Sequence, residues 1–285
     1  MQRPARRGMW AAALAVGCLL GAAWAQTDDV PYVQSATNVV DVMLSMAKLG
    51  PGDYLVDLGS GDGRIVIAAA ARHGARGLGI EMDPALVEES RAGAAAAGVA
   101  DRAAFLRGDI FAADFSRATV VTMYLLPEVN LQLRPRLLYE LSPGTRVVSH
   151  DFDMGDWEPD DRVTVPVPDK RVGRRKESTI YLWTVPARLA GHWRGTLSGP
   201  EGDEPVLIEF AQQFQQVRAT AYLRRGTLEG TGRLRGGSLS LGLARSNLVG
   251  PPFLRFALTI ADGRLEGEAA ADASRYRLRA SRIGS

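Results

Sequence analysis

A glycine-rich turn constrains this chain more than any other feature of its sequence. The apolar run Tyr54–Leu58 ends at Gly59-Ser60-Gly61-Asp62-Gly63, and an alanine-rich segment from Ile65 to Arg72 follows. Because glycines turn without a Cβ clash, the pattern predicts a strand, a tight turn and a helix. The turn is expected to present its backbone N–H groups, and the positive end of the helix, to a ligand.

The spacing of the glycines indicates which ligand. A dinucleotide-binding fold uses G-x-G-x-x-G and holds a pyrophosphate over the helix, whereas this turn is G-x-G-x-G followed by Arg64. Asp57 stands two positions before the first glycine. A carboxylate there would repel a pyrophosphate but pair with an ammonium or sulfonium group. The combination resembles the first motif of class I S-adenosyl-L-methionine (AdoMet) methyltransferases; the alternative is a generic glycine turn.

Two further segments have the spacing of that fold. The second predicted strand, Arg76–Met82, ends with Glu81, at about the twenty-residue offset where a carboxylate holds ribose hydroxyls. Asp83-Pro84 is typical of a helix start, so we expect Asp83 to cap the helix and Glu81 to remain free for the ligand. The alternative for Glu81 is a solvated strand end. A third predicted strand, Ala103–Leu106, leads to Gly108-Asp109-Ile110.

The resemblance implies a set of AdoMet-binding residues. Asp109 matches the carboxylate near the adenine amino group, and Ile110 the apolar residue against the ring. Tyr32, ahead of a predicted leading helix, could reach the methionine end of AdoMet, although core packing is an equal alternative. The implied cofactor-binding residues are Tyr32, Asp57, Gly59, Ser60, Gly61, Glu81, Met82, Asp109 and Ile110. No cluster of residues has metal-ligand spacing, so no metal is expected.

The rest of the first half completes an α/β pattern. Thr119–Leu126 is a near-continuous apolar run, as a central parallel strand should be. Pro135 interrupts the following helical pattern and predicts two short helices, and Thr145–Phe152 reads as the fifth strand. Val163–Val167 and Thr179–Val185 are expected to close the sheet as an antiparallel hairpin. These elements predict a Rossmann-like class I methyltransferase fold with a seven-stranded sheet.

Four motifs carry a closer resemblance, to one family within this class. They are Pro31-Tyr32-Val33, the glycine motif extended from Asp57 to Val66, Leu126-Pro127, and Arg146 to Ser149. Over residues 30 to 157 the chain resembles the family of the mitochondrial ATP synthase c-subunit lysine N-methyltransferase and its bacterial relatives. The resemblance implies AdoMet as cofactor and a protein lysine as acceptor. The mitochondrial members are membrane-embedded, whereas this chain begins with an export signal and continues into a second domain, so the substrate does not carry over directly.

Catalytic residues are expected at the ends of the fourth and fifth strands. A lysine must lose its proton before it attacks, which apolar surroundings favour. Tyr124, Leu126, Phe152 and Trp157 are candidate walls, and Asp151 or His150 a candidate proton acceptor. We favour Tyr124 and Asp151, because a lone histidine near a strand end is more often a hydrogen-bonded structural residue.

The first 25 residues read as a signal peptide. Arg3, Arg6 and Arg7 precede the apolar run Met9–Ala22, and Ala23-Trp24-Ala25 is an A-x-A cleavage signal. Cleavage after Ala25 would give an exported, periplasmic protein, by general secretion or by the twin-arginine route. Lipidation of Cys18 is a weaker alternative. Cys18 is the only cysteine, so the mature chain would lack disulfides and thiolate chemistry.

The pattern changes at about Arg188. Helical periodicity disappears, and short alternating segments such as Leu254–Ile260 are separated by turn signals such as Asp262-Gly263. This predicts three parts: the signal peptide (1–25), the methyltransferase domain (26–187) and a smaller all-β domain (188–285), an antiparallel barrel or sandwich.

The sequence leaves the acceptor open. The leading hypothesis is an AdoMet-dependent methyltransferase acting on protein lysine; the alternatives are a small-molecule or lipid methyltransferase, or an exported binding protein that retains the fold. The basic run Lys170–Lys176 could attract an acidic polypeptide, a phosphorylated lipid or RNA near the substrate edge, but a solvated hairpin loop is the simpler interpretation. Because no aromatic residues interleave with that run, nucleic acid is disfavoured as a partner. The all-β domain could bind substrate, dock on the methyltransferase domain or contact the cell envelope.

Overall fold

The computed structural model describes residues 33–171, 175–224, 226–245, 254–271 and 274–284. The predicted signal peptide and Tyr32 lie outside the described residues. Within the described part of the chain, no helix is long and apolar enough to cross a membrane.

The first part of the structure is a doubly wound α/β sheet. Its helices are α1 (Thr37–Met46), α2 (Arg64–His73), α3 (Pro84–Ala96) and α4 (Pro127–Glu140). Its strands are β1 (Tyr54–Leu58), β2 (Arg76–Glu81), β3 (Ala103–Arg107), β4 (Val120–Met123), β5 (Arg146–His150), β6 (Asp161–Pro166) and β7 (Glu177–Thr184).

The sheet has seven strands in the order β3-β2-β1-β4-β5-β7-β6. The first five positions are parallel, while β7 runs antiparallel to both β5 and β6. The strand order reverses between β1 and β4, and open α/β sheets bind ligands outside the carboxyl ends of their strands at this switch point. We call the side where β1 to β5 end the reaction edge. The predicted seven-stranded methyltransferase fold is confirmed.

Burial explains why these segments form these elements. β1, β4 and β5 have nearly continuous buried runs, as strands covered by helices on both faces should. The alanine-rich face of α2 packs against the sheet through Val66 and Ala69. The leading helix α1 buries Val39, Val40, Met43 and Leu44.

The prediction of two short helices around Pro135 was wrong. A single helix, α4, runs through that proline. Although Pro135 cannot donate the usual backbone hydrogen bond, Asn130, Leu133 and Leu137 are all buried on one face of the helix. Arg136 also holds Glu140 one turn further on. Packing of this face outweighs the local loss at the proline.

The second part is a closed eight-stranded antiparallel barrel. Each strand pairs with the next in the chain, and the last closes on the first. The strands are β8 (Gly191–Gly199), β9 (Gly202–Gln213), β10 (Gln216–Leu223), β11 (Gly226–Arg235), β12 (Ser238–Arg245), β13 (Leu254–Ala261), β14 (Arg264–Ala271) and β15 (Ser274–Arg282). Alternate residues such as Leu239, Leu241 and Leu243 fill its core. The predicted all-β domain is therefore a barrel rather than a sandwich.

Candidate active site

The glycine turn folds as predicted, but its amide groups are used differently. Gly59, Gly61 and Gly63 have positive φ angles of 77°, 54° and 76°, which explains why glycine stands at each position. The N–H groups of Gly59 and Ser60 both donate to the carbonyl of Ile80, and that of Gly61 donates to a Glu81 carboxylate oxygen. The expectation that these N–H groups face a ligand was wrong, because the end of β2 already accepts their hydrogen bonds.

Ser60 turns its side chain into the protein. It is buried, and a Cβ on Gly79 would lie 2.5 Å from its hydroxyl oxygen. Among the described residues, that oxygen has no hydrogen-bond partner. The hydroxyl packs beside Gly79 of β2, and the cofactor-binding role of Ser60 stays a prediction.

Asp57 is a fully buried carboxylate at the centre of the sheet. The Thr122 hydroxyl, from the paired residue on β4, donates to its Oδ1 across 2.7 Å. Burial raises the pKa of Asp57 to about 7, and although the Thr122 hydrogen bond opposes this shift, the nearby charges of Glu81 and Asp62 add to it. An ionised Asp57 is therefore favoured by a cationic ligand. AdoMet carries an ammonium and a sulfonium group, so this carboxylate fits that cofactor.

Glu81 ends β2 at the reaction edge and is not free, contrary to expectation. One oxygen accepts from Gly61 N–H at 2.9 Å, and the other from the N–H groups of Met82 and Asp83 at 2.8 and 3.0 Å. Asp83 caps α3 as predicted, through Ala85 N–H. The carboxylate is thereby held rigidly at the end of β2, and a carboxylate has about four lone-pair sites, so it retains capacity for a ribose hydroxyl.

The remaining predicted cofactor residues meet beside Glu81. The Gly108 N–H donates to the Glu81 carbonyl, which brings the end of β3 to this point. Asp109 is exposed and accepts from the Phe111 N–H, and Ile110 is half-buried. Met82 is 63% exposed. Exposed apolar groups beside an ordered carboxylate suit the adenosine end of the cofactor.

The predicted catalytic pair is brought together at the ends of β4 and β5. The Tyr124 hydroxyl lies 3.3 Å from Asp151 Oδ2. Burial first, and then the Asp151 charge, raise the pKa of Tyr124 to about 12, so its phenol stays protonated. Asp151 has a left-handed backbone, with φ at 63°, and its Oδ1 accepts from the Thr179 N–H. Outliers of this kind concentrate at functional sites.

His150 has the structural role expected for it. Its ring nitrogens lie 2.8 and 2.9 Å from the hydroxyls of Ser35 and Ser178. Burial, together with the Lys170 charge and against the effect of Asp151, lowers its pKa to about 4. The neutral ring stacks on Tyr124 with the centroids 3.8 Å apart. His150 thus orients Tyr124.

A polar chain joins the glycine turn to this pair. Asp62 accepts from Arg64 at 2.5 Å and from the Gln34 amide at 3.2 Å. Arg64 also donates to the carbonyl of Ser35, whose hydroxyl reaches His150. The segment before α1 therefore crosses from the cofactor turn to the ends of β4 and β5.

Sequence reasoning missed three residues and misplaced one. Thr122 is the polar residue of an apolar strand opposite Asp57, a signal that strand pairing could have provided. Ser35 and Lys170 have no such signal, because only the folded chain brings them to His150 and Asp151. Trp157, expected as a wall of the site, is instead fully buried against Trp183 and Phe214.

No group of three or more potential metal ligands occurs among the described residues.

Residues 57–161 match the ANTKMT methyltransferase domain. A protein-lysine N-methyltransferase of Saccharolobus islandicus (strain REY15A) is 41% identical over 157 residues, which cover 55% of this chain and 94% of that protein. The chain belongs to the ANTKMT methyltransferase family. The predicted family resemblance is confirmed, and with it an AdoMet-dependent methyltransferase.

Two other similar proteins have different substrates in their names. The ATP synthase c-subunit lysine N-methyltransferase of Xenopus laevis is 39% identical over 131 residues, which cover 46% of this chain and 57% of that protein. A crystal structure of an RNA methyltransferase from Salinibacter ruber, in complex with S-adenosyl-L-homocysteine, is 55% identical. The match covers 55% of this chain and 96% of the Salinibacter ruber chain, with a TM-score of 0.50. Its bound ligand agrees with AdoMet as the cofactor of this family.

Proposed function

We propose that this enzyme methylates lysine side chains of proteins. The observation that carries the proposal is the Asp151–Tyr124 pair at the ends of β5 and β4, beside the cofactor turn. A carboxylate and a phenol suit an ammonium group, and the stacked rings of Tyr124, His150 and Phe152 suit the aliphatic stem of a lysine. The names of the Saccharolobus and Xenopus relatives support the same acceptor.

AdoMet, when bound, supplies a methyl group already activated by its sulfonium. Asp57, Glu81, Asp109 and Ile110 are the residues that would hold it. The protein's remaining task is to place and deprotonate the acceptor amine, because a protonated amine has no lone pair. Asp151 is placed to accept that proton, and Tyr124 to orient the amine through its hydroxyl. The partly buried surroundings favour the neutral amine.

A methylation assay with purified enzyme, labelled AdoMet and a cell-envelope extract tests this proposal. Label should enter protein, survive nuclease, be lost on protease treatment and map to lysine by mass spectrometry. Asp151→Asn and Tyr124→Phe should each lower kcat by about tenfold or more while AdoMet binding is retained. Exposed Asp156→Asn is the matched control for the charge change. Label that is lost with nuclease instead would favour RNA, as the name of the Salinibacter ruber protein suggests.

We further propose that the enzyme acts outside the cytoplasm, at the cell envelope. The support is the N-terminal sequence, with basic residues, an apolar run and Ala23-Trp24-Ala25. Export in the folded state, with cofactor bound, would supply AdoMet where it is otherwise scarce. Fractionation and N-terminal sequencing test this: the mature chain should begin at Gln26 in the periplasmic fraction. An unprocessed chain in the cytoplasmic fraction would contradict it.

A further inference from the structure

The β6–β7 connection lies at the reaction edge. Because β7 is antiparallel to β5, its first residues lie where β5 ends, and His150 pairs with Ile180. Pro166, the last residue of β6, pairs with Glu177, the first of β7. The connection between them therefore starts and ends beside Asp151. The basic run of the sequence falls within it.

Lys170 of that run points inward, contrary to the interpretation of a solvated loop. Its ammonium lies 2.6 Å from Asp151 Oδ2 and 2.7 Å from the Glu177 carbonyl oxygen. The Lys170 and Asp151 side chains are each only 15% exposed. Lys176 donates to the Lys170 carbonyl, while Arg171 and Arg175 remain exposed.

The groups around this ammonium are those that an acceptor lysine requires. Asp151 Oδ2 forms the ion pair with the Lys170 ammonium, and it also accepts a hydrogen bond from the Tyr124 hydroxyl at 3.3 Å. Tyr124 follows β4, whose neighbour β1 leads into the glycine turn. Lys170, a residue of the enzyme itself, thus pairs with the carboxylate that we assigned above to the acceptor amine.

The Arg146–Asp53 pair shows how a purely structural ion pair differs. It lies at the opposite end of the sheet, where β1 and β5 begin. Arg146 also donates to the carbonyl of Ala47, and Asp53 also accepts from Gly50 N–H and Thr119. Asp53 and the Ala47 carbonyl thus both hold the Arg146 guanidinium. Lys170, by contrast, carries its charge on a flexible four-carbon stem, in a hairpin connection at the reaction edge.

We propose that Asp151, Tyr124 and the Glu177 carbonyl form the binding site for the acceptor lysine's ammonium group, and that Lys170 occupies this site until the acceptor displaces it. The proposal rests on protein-lysine methylation as the function. A resident ammonium keeps the buried carboxylate paired, since an unpaired buried charge is costly. An acceptor can bind only the molecules in which Lys170 has left the site. Its apparent affinity is therefore lower than its intrinsic affinity.

The test measures binding of n-butylammonium, which reproduces the lysine side chain, by calorimetry without cofactor. Lys170→Gln should bind this probe about tenfold or more tightly than wild type, because the internal competitor is gone. The double variant Lys170→Gln/Asp151→Asn should lose the gain. Arg171→Gln, an exposed position in the same connection, should bind the probe like wild type. The neutral probe n-butanol should bind all of these proteins with the same affinity.

A second measurement is made on wild-type protein, and the only variant that it needs is the charge-conserving Lys170→Arg, for assignment. With isotope-labelled lysine, the ammonium resonance of Lys170 is assigned by its loss in Lys170→Arg. Adding n-butylammonium should move that resonance as Lys170 leaves Asp151, while the resonance of the exposed Lys48, at the opposite end of the sheet, stays in place.

An unchanged Lys170 resonance at saturating probe, or a gain in Lys170→Gln that survives Asp151→Asn, would overturn the proposal. Neither readout involves methyl transfer, so failure here is distinct from failure of the proposed function. If the probe binds as expected but no lysine is methylated in the envelope assay, the ammonium site stands and its assignment to an acceptor lysine falls.

Discussion

The side-chain amide of Gln215 donates a hydrogen bond to the backbone carbonyl of Glu158 across 2.6 Å. Gln215 is buried on the turn between β9 and β10 of the barrel, and Glu158 lies between β5 and β6 of the sheet. Next to them, Phe214 stacks on Trp157 with the centroids 6.0 Å apart, and Arg233 pairs with Asp160. The barrel is therefore docked on the segment that continues from Asp151.

Gln215→Ala should destabilise the protein by about 1–2 kcal/mol, because a buried side chain and its hydrogen bond to the Glu158 carbonyl are both lost. Urea denaturation followed by tryptophan fluorescence measures this, since Trp157 lies at the contact. Gln216→Ala is the matched control: Gln216 is the next residue, is exposed, and should change stability by less than about 0.5 kcal/mol. Equal effects of the two substitutions would show that the amide contact does not hold the barrel.

The segment between β5 and β6 is held at two points. Asn130 donates to the carbonyls of Phe152 and Asp153, so α4 holds one end of the segment and the barrel holds the other. The Saccharolobus protein is matched over 94% of its length by 55% of this chain. The family model matches residues 57–161, so that match ends before the barrel begins at Gly191.

The pH dependence of stability should report Asp57. Its pKa is about 7 in the folded protein and 3.8 in the unfolded chain, so the folded state binds the proton more tightly. The stabilisation is fully present below pH 3.8 and is lost as pH rises through about 7, and the difference corresponds to about 4 kcal/mol. Asp57→Asn should therefore be more stable than wild type above about pH 7 and no more stable near pH 4.

AdoMet affinity provides the complementary measurement on Asp57. The cationic cofactor favours the ionised carboxylate, so wild-type binding should tighten from about pH 6 to about pH 8. Asp57→Asn should bind more weakly and without that pH dependence. Calorimetric titration at several pH values measures both. A variant that keeps the wild-type pH profile would show that another group binds the cation.

Much of the fold could be predicted because local signals and packing agree. The glycine turn, the Asp83 cap and the apolar strands each indicate the element that forms. The Pro135 prediction failed because burial of Leu133 and Leu137 outweighs a local helix breaker. At the site, Tyr124 and Asp151 lie together, as expected for parallel strands that end at one edge, while their catalytic role stays a prediction. Lys170 could not be predicted in this way, because no short sequence pattern shows that the β6–β7 connection brings it to Asp151.

Gly63 should be the least replaceable glycine of the turn. It has φ at 76°, and an added Cβ would lie 2.5 Å from the Phe105 ring and 2.8 Å from Ser90. Gly63→Ala combines backbone strain of about 1 kcal/mol with overpacking of about 1–3 kcal/mol. Gly98→Ala separates the two terms, because Gly98 has φ at 66° but open space around it. Urea denaturation should show the larger loss for Gly63→Ala; equal losses would mean that Phe105 moves aside freely.

His150 should make the protein sensitive to mild acid. Its pKa is about 4 when folded, against 6.5 as the ordinary value, so the unfolded chain binds the proton more readily. The stability that neutral His150 contributes is present above about pH 6.5 and lost as pH falls towards 4. In His150→Gln, whose amide can still bond Ser35 and Ser178, this loss should disappear, so the unfolding free energy should fall less, or rise more, than that of wild type between pH 6.5 and pH 4. His192→Gln, at an exposed position of β8, serves as the control and should keep the wild-type slope. If His150→Gln keeps that slope as well, another group causes the acid sensitivity and folding does not lower the pKa of His150.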